Sequence, residues 1–342
     1  MIAPTARRGV GHAPCHHGEI LQGVFLDAGG RRCAGLVTLP MTGPGSRAEF
    51  TRRPGTAPER IAVLPGGRTK AARAAALAVA ECAPRCQEAP CGGELRIVSD
   101  IPVGLGMGSS TSDVIAVVRA VADSYGVRLA PDTVARLAVR AETACDPLML
   151  DARPVLFAQR EGRVLEVLGP RLPPLVVVGC ALGGGAPVDT LSLPVPAHDA
   201  SDVRAFERLR ALLRRAVATG DAALLGRVAS ASARRGQQRL HYREFDTLTD
   251  IGRRLGAVGV QIAHSGAVAG LLLDPAAGGL RHRVRSCVRA LESNGIAATR
   301  TFTTFPTRPQ TNREFPSGPA HRGGHRPTRP DTPRRAARLP AL

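Results

Sequence analysis

One stretch limits what this chain of 342 residues can fold into: Ile101-Pro102-Val103-Gly104-Leu105-Gly106-Met107-Gly108-Ser109-Ser110-Thr111-Ser112-Asp113. Glycines alternate with apolar residues, and hydroxyl side chains follow. Behind them Val114, Ile115, Val117, Val118, Val121 and Ala122 recur at helical spacing, so a glycine-rich loop opens directly into a helix. Such a loop leaves backbone N–H groups uncovered and aims the positive end of the helix at whatever sits there. That is an anion site, best suited to phosphate. The spacing excludes two familiar phosphate loops. No Lys follows the last glycine, as the P-loop requires, and glycines at i, i+2 and i+4 are not the dinucleotide fingerprint. A glycine turn capped by a hydroxyl is the plain structural alternative.

Composition sets the outer limits. Hydrophobic residues at 44% can build a sizeable core, supplied by Ala, Val and Leu because aromatics are only 3%. Length allows two domains or one large one. No run reaches the roughly 18 uninterrupted apolar residues of a membrane helix, so no membrane association is expected. Met1 to Val10 carries arginines but no apolar signal core, and a cytoplasmic location is expected. The eight cysteines are scattered, and the Cys82, Cys86, Cys91 cluster fits neither a zinc knuckle nor a redox pair. Free thiols in a reducing compartment follow. A net charge of +18 invites a nucleic-acid partner, but the arginines are spread along the chain beside the single Lys70. Residues 306–342 hold eight Arg against Glu314 and Asp331, about a third of that charge. A basic surface plus a basic Pro/Arg-rich tail explains it, with no nucleic acid expected. A tail that binds nucleic acid is the weaker alternative.

Taken in order, Gly11 to Phe25 is a polar corner leading into a short strand, and Glu19 within it needs a partner if buried. The adjacent His16 and His17 diverge on a strand and have no third ligand nearby, so no metal is assigned there. Short strands are expected within Cys33–Thr51, turns over Pro54–Gly67, a helix over Lys70–Cys82 and a half-buried strand over Gly93–Ser99. Pro131–Cys145 reads as a helix with Asp132 as its N-cap, stopped by Pro147. Leu172–Leu182 reads as a buried strand running into a flexible Gly183-Gly184-Gly185 loop. Helices follow at Asp202–Ala218 and Asp221–Arg234, a strand–turn–strand at Gly259–Asp274, a helix at Leu280–Asn294 and a strand within Ile296–Phe305. Apolar periodicity then vanishes, so 306–342 is expected to be disordered.

The central loop resembles that of the GHMP kinases, whose motif runs roughly Pro-x-x-x-Gly-Leu-Gly-Ser-Ser. Pro102, Gly104, Leu105, Gly106, Gly108, Ser109 and Ser110 carry the likeness, with one residue fewer before Gly-Leu-Gly and Met107-Gly108 before the serines. The variant is most similar to the branch of L-threonine kinases associated with cobalamin synthesis. That branch has a Cys-Gly-Glu-Leu-x-Gln-Gly segment, matched by Gly18, Glu19, Ile20, Leu21, Gln22 and Gly23, with His16-His17 interrupting after Cys15. Its Ala-His-Ser-Gly-x-x-x-Gly-Leu segment is matched from Ala263 through His264, Ser265 and Gly266 to Gly270-Leu271.

The resemblance covers roughly residues 11–304 and implies an α+β, two-domain GHMP kinase fold. A ribosomal S5 domain 2-like, ATP-binding N-terminal domain (1–175) would precede a ferredoxin-like C-terminal domain (176–305). It implies ATP and Mg2+, with Pro102, Gly104, Leu105, Gly106, Met107, Gly108, Ser109, Ser110 and Thr111 at the nucleotide. Ser110 and Glu142 would sit at the metal, and Asp146 would be the catalytic carboxylate, with Cys145 where Thr usually stands. Asp151 is the fallback. Glu19, His264, Ser265 and Gly266 would face the acceptor, a small hydroxy amino acid with L-threonine foremost. Homoserine, a specialised metabolite or a non-catalytic ligand-sensing role are the alternatives, and a homodimer is left open.

Overall fold

A computed structural model of the chain describes residues 7–151, 153–186, 198–238, 240–263 and 266–305. His264 and Ser265 lie outside the described residues, and so does the 306–342 tail with its expected disorder. No described helix is long and apolar enough to cross a membrane.

The frame is a long antiparallel hairpin, β1 (Arg8–Leu26) against β2 (Arg32–Arg52). Asp27 makes its turn, its Oδ1 accepting from the N–H groups of Gly29 and Arg31 at 2.9 Å each. β2 is one continuous strand where short pieces were expected, because β1 pairs with it from end to end. β4 (Gly93–Ser99) adds to β2, and β3 (Ile61–Leu64) lies parallel on the outside of β4. β3 falls inside the stretch read as turns; four half-exposed residues are too few to show a period. Helices α1 (Thr69–Cys82), α2 (Ser109–Ser124) and α3 (Pro131–Glu142) cover this part of the sheet around a core including Phe50, Leu95, Ile97, Ile115 and Leu137. α2 sits so close to β1 that a Cβ on Gly9 or Gly11 would strike its backbone at Ala116 and Ala120.

Two details of α3 differ from expectation. Its N-cap position is Ala130, with Pro131 opening the helix and Asp132 in the first turn making no cap bond. Pro supplies helical φ at the first position, so no side-chain cap is needed. The helix also stops at Glu142, since Thr143 turns left-handed at φ 70°, and Cys145 and Asp146 therefore stand beyond it.

β5 (Val155–Ala158) and β6 (Arg163–Val167) form a side hairpin on β2. Then come β7 (Val176–Ala181), α4 (Ala200–Thr219), α5 (Ala222–Gly236), α6 (Phe245–Arg254), β8 (Gly259–Ile262), β9 (Val268–Leu273), α7 (Leu280–Ser293) and β10 (Ala297–Thr303). Gly183–Gly185 makes a short 3₁₀ turn. The apolar run 175–178 is fully buried, as expected, and β7 pairs with both β9 and β10. The strand order is β10-β7-β9-β8-β1-β2-β4-β3, and β1 joins β8 at the pair Glu19–Ile262. β1 shifts register on either side of Glu19, and such irregularities re-aim side chains. Glu19, His16 and His17 all sit there.

Candidate active site

Gly104, Gly106 and Gly108 hold φ of 80°, 83° and 72°, a region that L side chains enter only at a cost. Gly108 is the N-cap of α2 and no side chain caps it, which leaves first-turn N–H groups free for an anion. The loop is pinned on both sides. The His16 N–H donates to the Met107 carbonyl at 3.3 Å, and the Val268 N–H donates to that of Leu105 at 3.0 Å. Gly266 presses on the Leu105–Gly106 peptide, where any Cβ would overlap backbone. Gly266, just before β9, thus packs on the loop.

A polar chain runs across the mouth of α2. Lys70 Nζ is 3.4 Å from Ser110 Oγ and 4.0 Å from Glu142. Ser110 and Thr111 donate their hydroxyls to the two Glu142 oxygens at 2.6 and 2.7 Å. The Asp146 N–H reaches Thr111 Oγ1 at 3.4 Å, and Asp146 Oδ2 accepts from His16 Nε2 at 3.1 Å. His16 Nδ1 donates in turn to the Gly18 carbonyl at 3.1 Å.

The electrostatics follow from these partners. Burial pushes Glu142 up, its two hydroxyl donors pull it down, and Asp146 nearby raises it again, leaving it at about 7. Burial alone would depress His16, but the Asp146 carboxylate, then Glu19 and the Gly18 carbonyl, outweigh it and hold the imidazole at about 9. Both ring nitrogens face acceptors, so His16 is an imidazolium at neutral pH. His16, Glu19 and Asp146 bring their ligand atoms within 4.8 Å of one another. The third group that sequence reading could not find near His16 is thus Asp146, from far along the chain. With the His16 ring protonated the trio is an ion-paired cluster.

Of the residues read from sequence, the loop glycines, Ser110, Thr111, Glu142, Asp146, Glu19 and Gly266 converge here. Asp151 does not: it is exposed and lines another cavity with His12 and Arg171. Sequence reading gave no role to His16 or Lys70. Lys70 carried a signal, as the single lysine in an arginine-rich chain placed at the start of α1. His16 carried one only as an insertion in a motif.

The arrangement suits a nucleoside triphosphate with Mg2+. A Cβ on Gly108 would sit 2.6 Å from the His16 ring and 3.2 Å from Asp146, so only glycine leaves backbone open between the helix end and the carboxylate. Glu142 is a buried carboxylate, with two hydroxyls and one lysine around it, that a divalent cation would hold ionised.

Residues 70–152 match the family model for the N-terminal domain of GHMP kinases. Over that stretch the chain is similar to the N-terminal domain of GHMP kinases. The whole described fold agrees: homoserine kinase from Cytophaga hutchinsonii superposes with a TM-score of 0.62 at 15% identity, over 89% of this chain and 96% of that one. Phosphomevalonate kinase from Streptococcus pneumoniae does so at 0.60 and 13% identity, over 86% and 98%. An L-threonine kinase from Citrobacter freundii is 28% identical over 190 residues, 52% of this chain and 61% of the relative's own length. The GHMP domain model spans the helices and the loop that carry Lys70, Ser110, Thr111, Glu142 and Asp146, while His16 and Glu19 reach it from β1.

Proposed function

We propose that this chain is an ATP- and Mg2+-dependent small-molecule kinase that phosphorylates the hydroxyl of an amino acid, L-threonine first, giving O-phospho-L-threonine. The observation that carries it is Asp146, set beside an open, uncapped helix end and held there by His16. The threonine kinase relative supports the choice of acceptor, and eight free cysteines support work in the cytoplasm. The division into an ATP-binding half (1–175) and a second half (176–305) belongs to the same proposal.

In this reading the backbone of Gly104 to Ser110 receives the phosphates, and Lys70 adds charge at the same helix end. Ser110 and Glu142 would hold Mg2+, which supplies charge neutralisation on the transferring group. Asp146 orients the acceptor hydroxyl and takes its proton, while the His16 imidazolium keeps that carboxylate ionised and aimed. Glu19 faces the acceptor, together with Gly266. Positioning and charge supply most of what phosphoryl transfer needs, so a rigid constellation of this kind suffices.

The test is ADP release from ATP and Mg2+ across L-threonine, L-homoserine, L-serine and related amino alcohols. A threonine signal dependent on Mg2+ supports the proposal. Nucleotide binding without turnover on any of them removes the amino-acid acceptor, and failure to bind ATP removes the loop assignment itself.

A further inference from the structure

A cavity of about 430 Å³ lies behind Glu19, between β1, β2 and the end of α5. Gln22, Gly23 and Val24, which follow Glu19 on β1, form one wall, and Ile262 and Ala263 of the β8 end another. Ala263 is shared with the phosphate loop: a Cβ on Gly106 would stand 2.5 Å from its methyl, and one on Gly18 3.0 Å from its backbone. Ala263 thus borders both the cavity and the corner where Gly18 meets the phosphate loop.

Its lining has one sign. Arg32, Arg160, Arg235 and His198 contribute to it, and its described lining contains no Asp or Glu. Arg235 approaches Asp202 at 3.2 Å and stacks over Phe206 at 5.3 Å. Among the described residues, Arg32 is tied only to the His198 carbonyl, at 3.0 Å, and Arg160 has no side-chain partner. Among the described residues no carboxylate pairs with these two guanidinium groups, both of them exposed, which leaves them able to meet an anion. Val24, Phe206, Leu240 and Ile262 add apolar surface to the same lining. Phe206 is fixed there because Gly23 leaves it room; a Cβ on Gly23 would enter its ring. The volume falls within the roughly 300–1,000 Å³ that encloses ligands of drug size, well beyond a four-carbon amino acid.

We infer that this cavity receives the acceptor, as an anionic hydroxy acid whose apolar side group is larger than the methyl of threonine. The inference rests on the kinase reading above and narrows its substrate class. The carboxylate would lie toward Arg32 and Arg160, the side group against Phe206, and the hydroxyl toward Asp146.

Equilibrium binding to the full chain, measured by calorimetry without turnover, tests it. The probes are L-threonine, β-hydroxy-L-leucine and L-threo-phenylserine, which share the α-amino acid and the β-hydroxyl, each beside its carboxamide. Affinity rises at least tenfold from threonine to phenylserine, at roughly fourfold per buried methylene. Each carboxamide binds at least tenfold more weakly than its acid, and an Arg32→Gln/Arg160→Gln double variant removes most of that difference. Carboxamides that bind as well as the acids, threonine binding tightest, or no acid binding at all would overturn the inference. Binding of a non-hydrolysable ATP analogue is measured on the same proteins. Its loss in the wild-type chain would strike the kinase reading instead, and its retention in the double variant shows that the variant is folded.

Discussion

His16 and His17 are adjacent, equally buried, and driven to opposite protonation states. His16 faces the phosphate loop, where a carboxylate and a carbonyl accept from its two nitrogens. His17 faces the sheet of the second half. There Gln261 Nε2 donates to its Nδ1 at 2.7 Å, its ring lies 5.0 Å from Phe302, and its Nε2 has no partner among the described residues. Burial first, and then the charge of His16, push His17 down to about 3, so it is neutral at any ordinary pH. The difference teaches where the chemistry lies. One side of β1 at this point is a connected polar chain ending in charge; the other is packing that tolerates an unpaired nitrogen.

The largest effect is expected from removing the carboxylate that His16 answers to. Asp146→Asn keeps the shape and loses the charge; ADP release with the best acceptor is expected to fall a hundredfold to ten-thousandfold, roughly the worth of a positioned base. Binding of an ATP analogue should stay within about threefold, because the loop backbone is untouched. Turnover that survives the change would leave Asp146 as a turn residue before Pro147. Next in size, Glu142→Gln should raise the Mg2+ concentration needed for half-maximal ADP release by about tenfold to a hundredfold, read from a Mg2+ titration. An unchanged titration would move the metal to other groups.

His16→Gln comes third, with kcat reduced by about tenfold while acceptor KM moves little, the pattern of a residue that positions another. It also changes stability in a set direction. The folded pKa of His16, about 9, lies above the ordinary 6.5, so its contribution is complete below about pH 6.5 and fades as pH rises toward 9. The ceiling is about 3 kcal/mol. Denaturant midpoints for wild type and variant should therefore converge on the alkaline side. A gap constant from pH 6 to 9 would show that the Asp146 pair contributes nothing to stability.

How much of this was legible in the sequence divides along the same line. The loop was, because its glycines need positive φ and its helix announces itself by period. Glu142 and Asp146 were, because the family motif closes a helix there, although that helix ends three residues sooner than its apolar pattern suggests. Most helices and central strands could be read from their spacing, whereas β3, β5, β6 and α6 are short or lie in stretches with mixed periods. His16 was not legible. Its role depends on a register irregularity in β1 and on a carboxylate 130 positions away, and no local pattern encodes either. Lys70 was visible as an oddity only, since nothing in α1 tells which way its first turn points. The cationic cavity was hidden for the same reason: Arg32, Arg160 and Arg235 look like any others in an arginine-rich chain until β2, the β5–β6 turn and α5 bring them together.

The smallest expected effect on turnover sharpens the comparison most. His17→Gln keeps an amide oxygen that can accept from Gln261 and removes a titrating group, so kcat should change by less than about threefold, as for a residue outside the reacting chain. Its signature is in acid instead. A histidine whose folded pKa lies near 3 stabilises the fold above about pH 6.5, where both states are neutral. Below that the unfolded chain takes up a proton that the folded chain refuses, and stability falls by about 1.4 kcal/mol per pH unit. The Gln variant lacks this loss, so its denaturant midpoint should overtake that of wild type between pH 6 and pH 4. A His17→Gln variant that loses activity as His16→Gln does would mean that the two sides of β1 are one site, and the second half would then have to supply catalytic groups rather than support.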